Sequence, residues 1–243
     1  IREGRNGAGK PTPTKVLAGE GQPASGTVTR SGTIGYLPQD PRAGDPEMLA
    51  RDRILAARGL HEVVVKLHRA EVDMASDDPK VRDRAMDRYP KLDARFVALG
   101  GYTAESEAAR ICANLNLPDR ILDQQLKTLS GGQRRRVELA RILFSHSETL
   151  LLDEPTNHLD ADSIAWLREH LKNYAGGLIV ISHDVELLEV VVNRVFHLDA
   201  NRATIDLYNV GWKNYLQQRE TDEKRRIRER ANAEKKAGTL LLQ

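Results

Sequence analysis

The sequence has 243 residues, 40% hydrophobic and 30% charged, enough for one large α/β domain, or a domain with a smaller insertion, around a real core. Lys and Arg number 37 against 35 Asp and Glu, a net charge of +2, so the whole-chain balance neither demands nor excludes a nucleic-acid partner and any electrostatic argument must be local. The longest aliphatic stretches, Leu150 to Leu152 and Leu178 to Ile181, fall well short of the ~20 residues of a membrane-spanning helix, and no signal peptide is evident. A cytoplasmic chain without membrane insertion is expected. The lone cysteine, Cys112, excludes an internal disulfide and suits a reducing compartment; it reads as a small buried apolar residue rather than a catalytic thiol.

The chain opens at Ile1 and reaches Gly4-Arg5-Asn6-Gly7-Ala8-Gly9-Lys10 within its first ten residues. This is the spacing of a phosphate-binding loop up to its lysine: the N–H groups of Asn6, Gly7, Ala8 and Gly9 can wrap phosphate oxygens while Lys10 reaches the β and γ phosphates. The alternative is a glycine-rich surface turn. Such a loop joins a strand to a helix, and almost no residues remain for the strand, so a piece of a longer protein is expected. The next position, where Ser or Thr ligates Mg²⁺, is Pro11, which has neither hydroxyl nor N–H. Thr12 supplies a hydroxyl one residue later, and Pro13 falls in the first helical turn, where a missing N–H is tolerated.

Thr14 to Ala18 then predicts a short helix ended by Gly19. Thr27 to Arg30 and Thr33 to Leu37 predict a β-hairpin about Ser31-Gly32. From Pro46 to about Leu126 the pattern is helical, with Val63, Val64 and Leu67 and later Leu92, Phe96 and Leu99 at helical spacing. Breaks fall near Asp77-Asp78-Pro79 and Gly100-Gly101, giving a helical insertion over about 46–128. Helix Gln133 to Phe144, strand Thr149 to Leu152, helix Asp162 to Tyr174, strand Leu178 to Ser182 and helix Asp184 to Val192 follow. Apolar strands alternating with helices predict a mostly parallel sheet covered on both faces. Arg194 to Leu207 suggests two more short strands, an antiparallel portion, and Trp212 onward a charged helix. From Arg219 to Lys236 that helix holds eight Lys/Arg against five Asp/Glu, with Glu220–Lys224 and Asp222–Arg226 four apart and no evident apolar stripe, so it is expected to project into solvent.

Leu150-Leu151-Leu152-Asp153-Glu154 is an apolar strand ending in two carboxylates, which can deliver Asp153 to a metal and let Glu154 orient or deprotonate an attacking water. A strand that merely ends in an acidic turn is the competing reading. Leu129-Ser130-Gly131-Gly132-Gln133 precedes a helix with arginines at 134, 135 and 136; a serine hydroxyl and glycine N–H groups at a helix N-terminus form an anion site, so Ser130, Gly131, Gly132 and Gln133 are candidate nucleotide contacts. Leu-Ser-Gly-Gly-Gln about twenty residues before such a strand resembles the signature of the ABC ATPases, a P-loop NTPase fold. The resemblance covers nearly the whole chain: Gln39 after Tyr36-Leu37-Pro38 matches the Q-loop, Leu159-Asp160 the D-loop and His183 the switch histidine. It implies ATP and Mg²⁺ as cofactors, a γ-phosphate recognised by Lys10, Gln39 and His183, a metal held by Asp153 with Gln39, and water polarised by Glu154. It also implies a second ATP-binding domain, because the signature of one domain closes over the phosphate loop of another.

Pro155-Thr156-Asn157-His158-Leu159-Asp160 is similar to the ABC-F class, and Tyr208 to Arg219 looks like the entry of its interdomain linker. The expected organisation is an ATP-binding domain over 1–211 and a linker start over 212–243. The class implies a ribosome partner, through rRNA or tRNA, in translation or antibiotic resistance; a basic helix would contact phosphates in a salt-sensitive manner. Residues 46–101 occupy the place of a ribosome-contacting arm in some members, or of an ordinary helical subdomain. Two alternatives are the ATPase subunit of a membrane transporter and a nucleotide-gated binding module with little turnover, the latter prompted by Pro11.

Overall fold

Starting from the N-terminal side, the computed structural model describes residues 13–39, 44–199 and 204–240, the side chains of residues 230 and 233–240 aside. Contacts divide the chain into one unit within Gly9–Ile181 and another containing Ser182–Gln243, and each is described by itself.

The first unit runs α1 (Pro13–Ala18), β1 (Ile34–Leu37), α2 (Ala50–Leu55), α3 (Leu60–Met74), α4 (Pro79–Ala98), α5 (Gly101–Asn114), α6 (Asp119–Leu122), α7 (Gly131–Phe144), β2 (Thr149–Asp153), α8 (Ala161–Lys172) and β3 (Gly177–Ile181). The three strands form a parallel sheet in the order β1-β2-β3, with Leu37 opposite Leu152 and Asp153 opposite Ile181. Leu150, Leu151 and Leu152 are at most 2% exposed, so β2 is buried as its continuous apolar run requires. α7 packs on this sheet so closely that a Cβ on Gly35 would stand 2.9 Å from Leu150 and 3.1 Å from Ile142. Only glycine lets the helix approach there.

Two expectations fail in this unit. No hairpin forms about Ser31-Gly32: among the described residues, 27–30 carry no strand, and β1 pairs with β2 in parallel. Thr33 explains the choice, because its carbonyl accepts from Thr149 N–H at 3.1 Å and its hydroxyl from Glu148 N–H at 3.0 Å. Arg30 meanwhile donates from Nε to the Leu17 carbonyl at 2.8 Å, satisfying the end of α1 rather than a strand partner. Second, among the described residues β3 is not covered on both faces; it lies at the edge of the described sheet and leaves Ile179 38% exposed.

The helical segment between β1 and α7 enters and leaves at one neck. Ala50 N–H donates to Gln124 O, Leu126 N–H to Met48 O and Lys127 N–H to Pro46 O, at 2.9–3.0 Å, a short antiparallel stitch. α3 and α4 form a helical hairpin, with the break at 77–79 made as expected by Asp78, whose carboxylate caps α4 through Lys80 N–H at 2.9 Å. A further break at Gly59, φ +69, separates α3 from the turn after α2. Buried Glu138 of α7 joins α2 through a two-pronged pair with Arg53, at 2.7 and 3.3 Å, and also binds Arg141.

The second unit contains α9 (Val185–Val191), β4 (Val195–Asp199), β5 (Thr204–Tyr208) and α10 (Trp212–Leu240), with β4 and β5 antiparallel as expected. α10 does not simply project. Trp212 and Tyr215 are buried, and the Tyr215 ring meets Trp212 and Tyr208 at centroid distances of 5.2 and 5.0 Å. The expected Asp222–Arg226 pair is replaced by partners from the hairpin. Arg226 binds Asp206 at 3.2 Å, while Asp222 accepts from Tyr208 and pairs with Arg225. The acidic side chains at one end of the hairpin present a partner that Asp222 would otherwise supply. Glu220–Lys224 forms as expected, at 2.6 Å.

Candidate nucleotide site

Because β1 and β2 are parallel neighbours in register, the residues after them emerge on the same edge of the sheet, where ligands of parallel α/β sheets gather. β2 ends in Asp153, and Glu154 follows with φ +49, a left-handed conformation uncommon for a residue with a Cβ. Its N–H donates to Ile181 O at 2.7 Å, which holds the turn as the chain leaves the sheet. Asp153 and Glu154 are each 8% exposed, whereas Gln39, two residues beyond β1, is exposed.

Buried Arg135 of α7 joins these two strand ends. Its Nη1 donates to the carbonyls of Pro38 and Gln39 at 2.9 and 2.5 Å, and its Nη2 to those of Asp153 and Glu154 at 2.6 and 2.8 Å. The motifs do not single out this residue from Arg134 and Arg136, although the helical phase carries a signal. Three consecutive arginines span about 200° of a helix at 100° per residue, so they do not share one narrow solvated face. Arg135 also leads the i, i+4, i+7 row of Leu139 and Ile142, both buried.

Ser130 caps α7, and a second device appears that the motif reading did not use. The Ser130 hydroxyl accepts from Gln133 N–H at 3.2 Å, while Gln133 Oε1 accepts from Ser130 N–H at 2.9 Å, a reciprocal capping box. Ser130 and Gly131 are exposed, and a Cβ on Gly131 would meet nothing within 4 Å. Packing within the chain therefore does not demand that glycine, and the open helix start retains N–H groups without helical partners. A Cβ on Gly132, by contrast, would lie 3.5 Å from His158, so the Asn157-His158 turn sits against the signature of its own chain. Asp160 caps α8 through Ser163 N–H at 2.9 Å and accepts from the Asn116 side chain at 3.1 Å. Those contacts, Ser163 first, hold its carboxyl below the usual carboxylate range.

The structure thus brings Gln39, Asp153 and Glu154 to one sheet edge and places Ser130 to Gln133 at the start of the helix that carries Arg135. Asn6, Gly7, Ala8, Gly9, Lys10 and Thr12, with Pro11, lie outside the described residues. His183 belongs to the second unit, exposed between Ser182 and Asp184, where Asp184 caps α9 through Leu187 N–H at 2.9 Å. Among the described residues no three His, Cys, Asp or Glu side chains cluster as a metal cage. Mg²⁺ does not require one, since it is held by one or two carboxylates together with substrate phosphates and water, and the oxygen donors of Asp153 and Gln39 suit it.

A parallel sheet that ends in Asp153-Glu154, beside a capped Leu-Ser-Gly-Gly-Gln helix, defines an ATP-binding domain of the ABC ATPase fold. The chain belongs to the ABC transporter family, which matches residues 3–157. It is 36% identical over 228 residues to the tylosin resistance ATP-binding protein TlrC of Streptomyces fradiae, a match covering 92% of this chain and 41% of that one. It is 37% identical over 246 residues to the energy-dependent translational throttle protein EttA of Haemophilus influenzae, covering 96% and 41%. Both relatives are ABC-F proteins, in keeping with the resemblance carried by Asn157-His158-Leu159-Asp160. The chain spans about two fifths of the length of either. The solved structure of an RNase-L Inhibitor shares the fold, with a TM-score of 0.53 at 20% identity over 86% of this chain and 34% of that one. Among the described residues no helix is long and apolar enough to cross a membrane.

Proposed function

We propose that this chain is the ATP-binding and ATP-hydrolysing domain of a cytoplasmic ABC-F protein that acts on the ribosome, in translation or in resistance to an antibiotic. The observation that carries the reading is the shared sheet edge of Gln39, Asp153 and Glu154, in a chain whose relatives are named for translational throttling and tylosin resistance. The organisation proposed is an ATP-binding domain over 1–211 with a helical insertion over about 46–128, followed by the start of a linker over 212–243. The stitched neck at Met48 and Gln124 supports the insertion.

In this reading Asn6 to Lys10 and Thr12 cradle the phosphates, and Asp153 with Gln39 holds Mg²⁺, which when bound neutralises phosphate charge. Glu154, fixed by its bond to Ile181 O, orients the attacking water, and His183 recognises the γ-phosphate. Ser130 to Gln133 serve the nucleotide of a second ATP-binding domain, whose own signature completes this site; the open space over Gly131 supports that role. The test is ATP turnover with the second domain supplied. Glu154→Gln should bind ATP as the unsubstituted protein does and hydrolyse it at least about a hundredfold more slowly, and equal turnover would remove Glu154 from its role.

A further inference from the structure

Arg135 belongs to none of the nucleotide motifs, yet it holds two of them together. Its fork reaches from α7 to four carbonyl oxygens, two at the end of β1 and two at the end of β2. We propose that Arg135 is a positioning residue for ATP hydrolysis, fixing the main chains of Gln39 and Glu154 at the spacing that turnover needs. The inference rests on the hydrolytic roles of Gln39 and Glu154 given above.

A guanidinium suits this task because its donors lie in one rigid plane and its charge is spread over the fork. At 4% exposure, water cannot readily replace the arginine, so the four carbonyls are satisfied together or left wanting together. Gln39 is otherwise exposed, and Glu154 sits in a left-handed turn that Ile181 O holds from the far side; Arg135 adds the contact that ties the two segments to each other. Substituted glutamine offers two N–H groups on a shorter stem, and lysine three on a point charge without the planar fork. Each reaches fewer of the four oxygens. Because a misplacement of about 1 Å can cost about a hundredfold in rate, the consequence should fall on turnover rather than on ATP binding.

The experiment uses the protein together with its second ATP-binding domain and compares Arg135→Gln, Arg135→Lys, Gln39→Ala and the double variant Arg135→Gln/Gln39→Ala. Arg135→Gln should lower kcat about tenfold or more while ATP affinity stays within about twofold, and Arg135→Lys should recover part of kcat. The double variant should lose little more than the worse single variant, since both act on one element. Hydrogen exchange at residues 36–39 and 153–156 should rise together in Arg135→Gln, a readout that needs no turnover. If the unsubstituted protein does not hydrolyse ATP, the ATPase reading fails by itself, and exchange still decides whether Arg135 holds both segments. Unchanged kcat overturns the proposal, as does a loss of binding and turnover in step with thermal stability. Should Arg135→Gln not fold, Arg135→Lys decides: lowered kcat at unchanged ATP affinity supports the role, and full kcat overturns it.

Discussion

The Asn116 side chain donates to Asp160 Oδ2 at 3.1 Å, joining the loop after α5 to the cap of α8. Asn116 is itself in a left-handed conformation, φ +52, and its carbonyl accepts from Arg136 Nη1 at 3.0 Å. The helical segment, the signature helix and the turn after Glu154 therefore meet through the side chains of Asn116, Asp160 and Arg136. Asp160→Ala should cost about 1 kcal/mol in urea unfolding at neutral pH, the usual worth of such a cap. The carboxyl is held below its ordinary range by Ser163 N–H and then by Asn116, so its ionised form is the stabilising one. That contribution is complete above the ordinary aspartate pKa and is lost as pH falls through the lowered folded value. The gap between the two proteins should narrow in acid, and a gap that widens would contradict the assignment.

Glu138 sits 5% exposed between Arg53 and Arg141 and ties α2 to the signature helix. Glu138→Ala takes the shared carboxylate from two part-buried guanidinium groups, those of Arg53 and Arg141, and should cost about 3 kcal/mol in denaturant unfolding. Replacing the pair together, Arg53→Met with Glu138→Leu, should recover much of that loss, because the desolvation of both charges disappears with them.

Cys112 is 1% exposed, and burial, the main cause, pushes its thiol up to about 12. It should resist a thiol reagent at neutral pH in the folded protein and react within the normal time once unfolded in urea. Fast labelling under native conditions would contradict its buried place on α5, near α2 and α6.

Tyr215 is fully buried and meets Trp212, Tyr208 and, through its hydroxyl, His197 Nδ1 at 3.1 Å. Trp212→Ala should cost about 3 kcal/mol in the stability of the second unit, as large aromatic deletions from cores do. A loss near zero would mean that α10 is not anchored by its first turn.

Much of this organisation is legible in the residues. The buried strand before Asp153, the Ser130 helix start and the order of Gln39, signature, carboxylates and His183 all come from motifs whose spacing is local. What fails is decided by distant partners. Thr33 to Leu37 alternates as well for a hairpin as for a parallel strand, and the choice falls to Thr149, more than a hundred residues away. Asp222 and Arg226 stand at the right separation to pair on a helix, but the hairpin brings Asp206 nearer. Arg135 shares its helical row with Leu139 and Ile142, which hints at burial, but the four carbonyls it holds lie on strand ends distant in sequence.

The proposed function has ATP close this domain with a second one before the protein acts on the ribosome. Its most direct measurement is co-sedimentation with ribosomes of the protein paired with its second ATP-binding domain, locked by Glu154→Gln and the equivalent change. ATP should be required for association, and rising salt should weaken it steeply. Replacing exposed Lys224, Arg225 and Arg228 of α10 with Gln should flatten that salt dependence while leaving ATP binding alone, and Arg226 is kept because it anchors the helix to Asp206. A locked protein that ignores ribosomes at every salt concentration, yet co-purifies with a membrane protein, would contradict the account and identify a transporter subunit instead.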